Sequence, residues 1–266
     1  MHSDPVTKPY DVFDAAAADY DSVGVDFVGP MGSALVAAAG IRAGERVLDV
    51  GCGRGAVLFP AAAAVGPSGS VTGIDMAPAM VVLTRAAAAG LPQVTVTVGD
   101  GQAPDFPAGS FDVVALGLVL FFLPDPEAAL RAYLRLLRPG GRLAFSCFAA
   151  FDPGYREAMR VIGEHTDEPS QQPKLPAMFD SEDTLRSAVG AAGFADVTIG
   201  DLTVRSEFRD LEHFLAWVDS HAGRTVLRRV PAERRPGLLA ALAPVLPDPP
   251  AMSTGVRLVG AVRPAG

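Results

Sequence analysis

The sequence predicts an α/β fold built on a parallel sheet, and three observations carry the prediction. Between about Glu45 and Phe148, short β-branched or apolar runs alternate with stretches long enough for helices. A glycine-rich turn follows the first of these runs directly. Acidic residues recur at the ends of three successive runs, as Asp49, Asp75 and Asp100. Strands separated by helices of that length read as βαβ units, which pair in parallel.

Taken in order, residues 10–44 read as largely helical, with Tyr10, Phe13, Tyr20 and Phe27 spaced along them. Strands are predicted at Arg46–Val50, Ser70–Ile74, Val94–Val98, Phe111–Leu116 and Arg142–Ser146. Helices are predicted over Ala56–Val65, Pro78–Ala89 and Pro126–Leu137. Gly140 and Gly141, after Leu137-Arg138-Pro139, stop a helix and turn directly into a strand. From Phe148 to Met178 the chain reads as loop-rich, because Pro153, Pro169, Pro173 and Pro176 interrupt helices. A further helix is expected from Ser181 to Ala192, with Ser181 as N-cap and Gly193 as terminator. A strand follows at Asp196–Ile199 or somewhat longer. Helices near Asp210–Ser220 and Ala232–Ala243 and a last strand at Val256–Val262 complete the chain. Lying between two strands, these late helices are a candidate substrate cap.

Composition narrows the function. At 266 residues the length suits one large domain, and 49% hydrophobic residues suffice for a sizeable core. No apolar run approaches the roughly eighteen residues that span a bilayer. The polar N-terminus has no signal-peptide apolar segment, so a cytoplasmic location is expected. A net charge of −8 argues against nucleic acid as partner, since phosphate binding needs clustered basic residues. The one dense group, Arg224, Arg228, Arg229, Arg234 and Arg235, reads as a solvated helix face beside acidic residues. Cys52 and Cys147 imply no disulfide framework. Lys occurs twice and Asn not at all, a bias that makes the Ala-rich stretches weak evidence of function.

The segment Val47-Leu48-Asp49-Val50-Gly51-Cys52-Gly53-Arg54-Gly55 places a glycine-rich turn between a buried strand and a helix. Missing Cβ atoms let a ligand lie against the backbone, and the helix start offers unpaired N–H groups. Gly51, Gly53 and Ala56 also satisfy the G-x-G-x-x-G/A dinucleotide fingerprint, so an NAD-dependent oxidoreductase must be weighed, as must a purely structural turn. Asp49 would repel a pyrophosphate but favour a ligand ammonium. Asp75 can accept both hydroxyls of a ribose, a feature shared with NAD sites. Asp100, within Gly99-Asp100-Gly101, can accept a hydrogen bond from an adenine amino group.

On these residues the sequence resembles the class I S-adenosylmethionine (SAM)-dependent methyltransferases, especially the ubiquinone/menaquinone-biosynthesis-like branch. The matching pieces are Asp49-Val-Gly51-Cys-Gly53-Arg-Gly55, Gly73-Ile-Asp75-Met76, Gly99-Asp100-Gly101-Gln102, Gly109-Ser-Phe111-Asp112 and Leu137-Arg-Pro139-Gly140-Gly141. They stand in the family's order and spacing and cover about residues 10–148, with a looser match from 181 onward. The resemblance implies a Rossmann-like, seven-stranded, mostly parallel sheet with helices on both faces and an antiparallel last strand. It implies one domain: an N-terminal helical lid (1–44), a SAM-binding core (45–148), and substrate-side segments and last strands (149–266), with the cap near 207–253. It also implies that Gly51, Gly53 and Gly55 line the methionine end, Asp75 holds the ribose and Met76 packs on the adenine. Asp100 and the Gly101 backbone would recognise the adenine edge, and the backbone near Gly117 would hold the methionine ammonium. Tyr20 matches the family's lid tyrosine and reads equally as a packing aromatic. S-adenosylhomocysteine would be the product.

The chain departs from the branch in one place. Where that branch often has a pair of histidines before Leu-Pro-Asp, this chain has Phe121 and Phe122 before Leu123-Pro124-Asp125. No polar catalytic group comes from this loop, which weighs against N-methylation of a nucleobase. The apolar loop, the aromatic N-terminal helices and the candidate cap point to transfer to O or C of a small, rather apolar, natural-product-like acceptor. A SAM-binding cyclase or rearrangement enzyme that transfers no methyl is the alternative. A hydroxyl acceptor needs a general base, and His165 and His221 are the candidates. His165 lies near Glu164 and Asp167; His221 shares a helical face with Phe214, Trp217 and Val218. The competing reading of each is a surface or packed histidine. No metal-ligand spacing is visible, and Cys52 is expected to pack. Beyond the small-molecule acceptor, the sequence leaves both a monomer and a homodimer open; neither nucleic acid nor membrane is an expected partner. Asp75→Ala is expected to weaken SAM binding with little loss of fold.

Overall fold

Val47, Leu48 and Val50 are completely buried, and the strand they form, β1 (Arg46–Val50), runs through the middle of a seven-stranded sheet. The computed structural model describes residues 9–167 and 175–265. On one side of β1 lie β2 (Ser70–Asp75) and β3 (Val94–Val98). On the other lie β4 (Phe111–Gly117) and β5 (Leu137–Ala150), and all four pair in parallel. The last two strands, β6 (Ala195–Glu207) and β7 (Ala251–Val262), form a long antiparallel pair, with β7 also antiparallel to β5. The order is β3-β2-β1-β4-β5-β7-β6. The chain winds outward from β1 through β2 and β3, then crosses back to β4. The switch point therefore lies between β1 and β4, where such sheets bind ligands beyond the strands' carboxyl ends.

Helices cover both faces. One face packs α5 (Pro126–Leu136) and α7 (Glu182–Ala191); the other packs α2 (Val28–Ala39) and α3 (Leu58–Val65). Tyr133 of α5 is fully buried and donates its hydroxyl to the Gly101 carbonyl at 2.5 Å, tying that helix to the loop after β3. The short α1 (Pro9–Ala16) lies against α4 (Pro78–Ala87). Between β6 and β7 come α8 (Leu211–Ser220), α9 (Arg224–Leu227) and α10 (Arg235–Leu242), which form a separate apolar cluster with residues around Phe27. No helix among the described residues is long and apolar enough to cross a membrane.

Two sequence expectations are corrected. The stretch after Phe148 is not loop throughout, because α6 (Pro153–Glu164) occupies much of it. Pro153 is in the first turn, where the missing N–H would have no helical partner anyway. Asp152 caps the helix by accepting from the Gly154 and Tyr155 amides at 2.8 and 3.3 Å. Pro169 and Pro173 lie outside the described residues. The arginine-rich group is not a uniformly solvated face either. Arg228 and Arg234 are half exposed and pair with Asp219 and Asp167, but Arg224 is buried, its nearest counter-charge Asp219 4.0 Å away.

Candidate functional site

Beyond β1 the chain turns through Gly51, Gly53 and Gly55, at φ of +65°, +47° and +93°. These are left-handed or positive-φ conformations that glycine adopts without a Cβ clash. A Cβ on Gly51 would lie 2.5 Å from Val119, and one on Gly55 would lie 2.4 Å from Phe59. Gly53 alone of the three faces open space. Its N–H donates to Asp75 Oδ2 at 2.8 Å, and its carbonyl accepts the Thr84 hydroxyl at 2.6 Å. Asp75 Oδ1 accepts the Ala77 N–H at 2.9 Å. Asp75 thus fastens the glycine turn to the end of β2, while each oxygen keeps a second lone pair for a ligand. Burial pushes its carboxyl up despite these bonds, and the nearby Asp14 adds to the shift.

Asp49 is fully buried below the turn, with the Leu58 backbone N–H as its nearby donor, yet neither carboxylate oxygen completes a hydrogen bond. Burial pushes its carboxyl well above the usual range, with the Asp75 charge adding to it. An unpartnered buried carboxylate is costly, and a cation placed beside it would remove the cost. Cys52, between two of the glycines, is buried, and burial also pushes its thiol up. That suits packing.

The neighbouring strand ends carry apolar surface. Met76 is 38% exposed, and Val98, which pairs with Asp75 across the sheet, is 57% exposed. Asp100 is exposed, with Oδ1 accepting the Gln102 N–H at 2.8 Å. At the end of β4, Gly117 passes so close to Val57 that a Cβ would lie 2.9 Å from its side chain. The next residue, Leu118, adopts φ +57° without being glycine, and its N–H donates to Ser146 Oγ at 3.0 Å. Strain of this kind concentrates where the chain is shaped for a ligand. Neither Val98 nor Leu118 was legible as a site residue, since an exposed valine and a left-handed leucine have no sequence signature.

The N-terminal segment closes over these strand ends. Asp14 accepts the Ala79 N–H at 2.7 Å, and the Ala17 carbonyl accepts from Arg54 Nη1 at 2.7 Å. Tyr20 follows, its phenol pushed up by burial and by the charges of Asp21 and Asp75. Its ring centroid lies 4.8 Å from that of His221. The structure thereby brings Tyr20 against His221, within the field of the Asp75 charge.

His221 follows α8 and is 9% exposed. Its Nδ1 lies 2.8 Å from Ser220 Oγ and 3.0 Å from the Trp217 carbonyl. A carbonyl only accepts, so Nδ1 carries the proton, and Nε2 holds a buried lone pair with no partner. Burial lowers its pKa, favouring the neutral ring. The other described histidines are placed differently. In His213, Nδ1 accepts the Arg209 N–H at 3.1 Å and Nε2 donates to the Val23 carbonyl at 2.8 Å, so both nitrogens are used. His165 ends α6, with Nδ1 2.8 Å from the Val161 carbonyl and Nε2 turned toward Gly237 of α10. Those partners belong to α6 and α10, not to the glycine turn.

Aromatic rings complete the surroundings in a closed circuit. From the N-terminal segment, Phe13 and Tyr20 lead to His221 and Trp217. Trp217 meets Tyr155 of α6, which continues through Phe151 to Phe148 at the end of β5. Phe121 and Phe122, in the turn after β4, then return to Phe13. Successive centroids are 4.5–6.2 Å apart, and among the described residues no ring contact crosses the circuit.

The chain matches the family described as "Methyltransferase domain" over residues 48–145. It is 40% identical over 250 residues to a nocamycin O-methyltransferase of Saccharothrix syringae, covering 87% of this chain and 88% of that one. It is also 40% identical over 198 residues to the aklanonic acid methyltransferase DauC of Streptomyces sp. (strain C5), covering 69% and 90%. Among solved structures, the cyclase SpnF shares the fold at a TM-score of 0.56 and 21% identity, covering 88% of this chain and 80% of that one.

Proposed function

Because the chain belongs to the class I SAM-dependent small-molecule methyltransferases, we propose that it methylates a hydroxyl oxygen of an apolar natural-product acceptor, with His221 as the base. The observation that carries this reading is the buried, unpartnered Nε2 of His221, in ring contact with Tyr20 beside Asp75. Transfer to oxygen, one of the two atoms the sequence left open, is favoured because a neutral hydroxyl gains more from that base than an enolised or phenolic carbon does. The relative named an O-methyltransferase supports the choice.

The residues present fit SAM. The orphaned Asp49 carboxylate suits the ligand's ammonium, and the open face at Gly53 leaves backbone free for its methionine end. Gly51 and Gly55 give the turn its shape, and the backbone at Gly117 lies at the neighbouring strand end. Asp75 would take the ribose hydroxyls on its remaining lone pairs. Met76 and Val98 offer exposed apolar surface to an adenine, with Asp100 and the Gly101 backbone at its edge. When bound, SAM supplies a methyl group on a sulfonium, which is displaced in line.

The chain's own task is to hold the acceptor, exclude water and move one proton. Holding the reactants collinear can supply roughly 7–11 kcal/mol. His221 Nε2 takes the hydroxyl proton, while the Trp217 carbonyl keeps hold of Nδ1–H and stabilises the imidazolium. The lid to residue 44 and the helices between β6 and β7 act as covers, with Tyr20 touching both sides. His165 lies outside this arrangement, so the proposal gives the base role to His221 alone.

Incubation with SAM carrying a labelled methyl and a panel of apolar hydroxyl compounds tests the reading. Labelled O-methyl product and S-adenosylhomocysteine are expected in equal amounts, with His221→Gln slower by about 10²–10⁴-fold. Product on carbon, or a rearranged acceptor with SAM unconsumed, would overturn it.

A further inference from the structure

The glycine turn carries two buried groups of opposite sign that the protein leaves unsatisfied. Neither oxygen of Asp49 completes a hydrogen bond, and Nε of Arg54 has no acceptor. Only Val50, Gly51, Cys52 and Gly53 separate the two residues in the chain. Arg54 cannot discharge by losing its proton, and a buried donor left unbonded is costly. Its Nη1 is already engaged, donating to the Ala17 carbonyl of the N-terminal segment at 2.7 Å. The Nε–H points along the other edge of the planar guanidinium, which it shares with Nη2. On that edge a carboxylate sits with two parallel bonds. Asp21 does not fill the place. Burial and the Asp26 charge push its carboxyl up to about 6, the Arg54 charge only opposes that push, and Nε stays unbonded.

We propose that Arg54 clasps the α-carboxylate of SAM on its Nε edge and, through Nη1, ties the filled cofactor seat to the N-terminal lid. The inference rests on the SAM-binding reading above, in which the ammonium, ribose and adenine have partners and the carboxylate has none. An α-amino acid presents an ammonium and a carboxylate on one carbon; the turn presents Asp49 and Arg54, one before its glycines and one within them. A Cβ on Gly53, next to Arg54, would meet nothing, so the turn is open to a ligand on that side. The Ala17 carbonyl is uncharged and cannot balance the guanidinium. A ligand carboxylate does so and completes the missing bond. Held on one edge by a carboxylate, the guanidinium becomes a fixed donor on the other. Ala17 lies in the turn that leads to Tyr20, whose ring meets His221. Cofactor occupancy is thereby transmitted to the cover over the acceptor.

Calorimetric titration with S-adenosylhomocysteine and with S-adenosylthiopropylamine, which keeps the ammonium and lacks the carboxylate, tests the proposal. Wild type should bind S-adenosylhomocysteine at least about tenfold tighter, the scale of a charge-assisted hydrogen bond. Arg54→Gln should erase that preference. It should weaken S-adenosylhomocysteine by about the same factor and leave S-adenosylthiopropylamine within about twofold of wild type. Hydrogen exchange at saturating ligand reads the lid through the amides of Asp19, Tyr20 and Ser22, which bond to carbonyls within that segment. They should exchange about two- to tenfold more slowly with S-adenosylhomocysteine than with the analogue, and equally with both in Arg54→Gln. Equal affinity of wild type for the two ligands, or equal weakening of both by Arg54→Gln, would overturn the carboxylate assignment. Equal lid protection by both ligands would overturn the tie to the lid. The wild-type comparison stands even where the variant folds poorly. Binding of neither ligand would remove the SAM reading together with this inference.

Discussion

Asp49 and Asp75 both sit at strand ends but are not interchangeable: neither oxygen of Asp49 completes a hydrogen bond, whereas Asp75 accepts two. Asp49→Asn removes a buried charge, so the ligand-free protein should gain stability, by about 1–3 kcal/mol in urea unfolding. SAM affinity should fall at least about tenfold, the weight of one charge-assisted contact. A variant that binds SAM normally would show that Asp49 is not the counter-ion. The raised Asp49 carboxyl also sets a pH dependence. A folded-state pKa above the unfolded one means stability is greatest at low pH and declines as pH rises through the folded value. A cationic ligand reverses that preference, so SAM affinity should rise with pH over the same window. Asp75→Ala should cost both ligand affinity and about 1–3 kcal/mol of stability, because the Gly53 and Ala77 amides lose their acceptor. The sequence suggested little loss of fold, since it could not reveal that the carboxylate already binds the chain. His221, whose pKa is lowered from 6.5 by burial, should give a kcat/KM that rises with pH through an inflection below the ordinary imidazole value. His221→Gln should abolish that inflection; an unchanged profile would assign the base elsewhere.

At the scale of elements, strands β1 and β3 match their sequence boundaries, because continuous β-branched runs ended by turn residues are a local signal. The later strands β5, β6 and β7 run well beyond their predicted limits. Their extra length comes from pairing with one another over polar stretches, as along Asp201–Glu207 of β6, and pairing leaves no local mark. Helix α6 was hidden for the opposite reason, since Pro153 breaks a helix interior yet suits a first turn. Asp152 makes that choice and also accepts the Ser253 N–H at 2.9 Å, joining α6 to β7. Asp152→Ala should therefore cost about 1–2 kcal/mol in thermal or urea unfolding. An effect near zero would mean the cap and the β7 bond are replaced by water.

For the molecule as a whole, the two halves of the site were unequally legible. The cofactor half is built from strand-to-turn junctions, each a few residues long, and Asp49, Asp75 and Asp100 announce it in order. The acceptor half joins residues near 13–20, 121–122, 148–155 and 217–221, so no single spacing exposes it. The same limit explains Arg224, which the sequence groups with Arg228 and Arg229 and whose neighbours in space bury it. The central claim is that one cofactor seat, anchored by Asp49 and Asp75, presents a methyl group to His221. A crystal structure with S-adenosylhomocysteine tests it most directly. The account predicts the ligand's ammonium beside Asp49, its ribose on Asp75 and its sulfur facing the ring circuit at His221. A ligand bound elsewhere, or one that leaves Asp49 unpartnered and its sulfur turned away from His221, would contradict it.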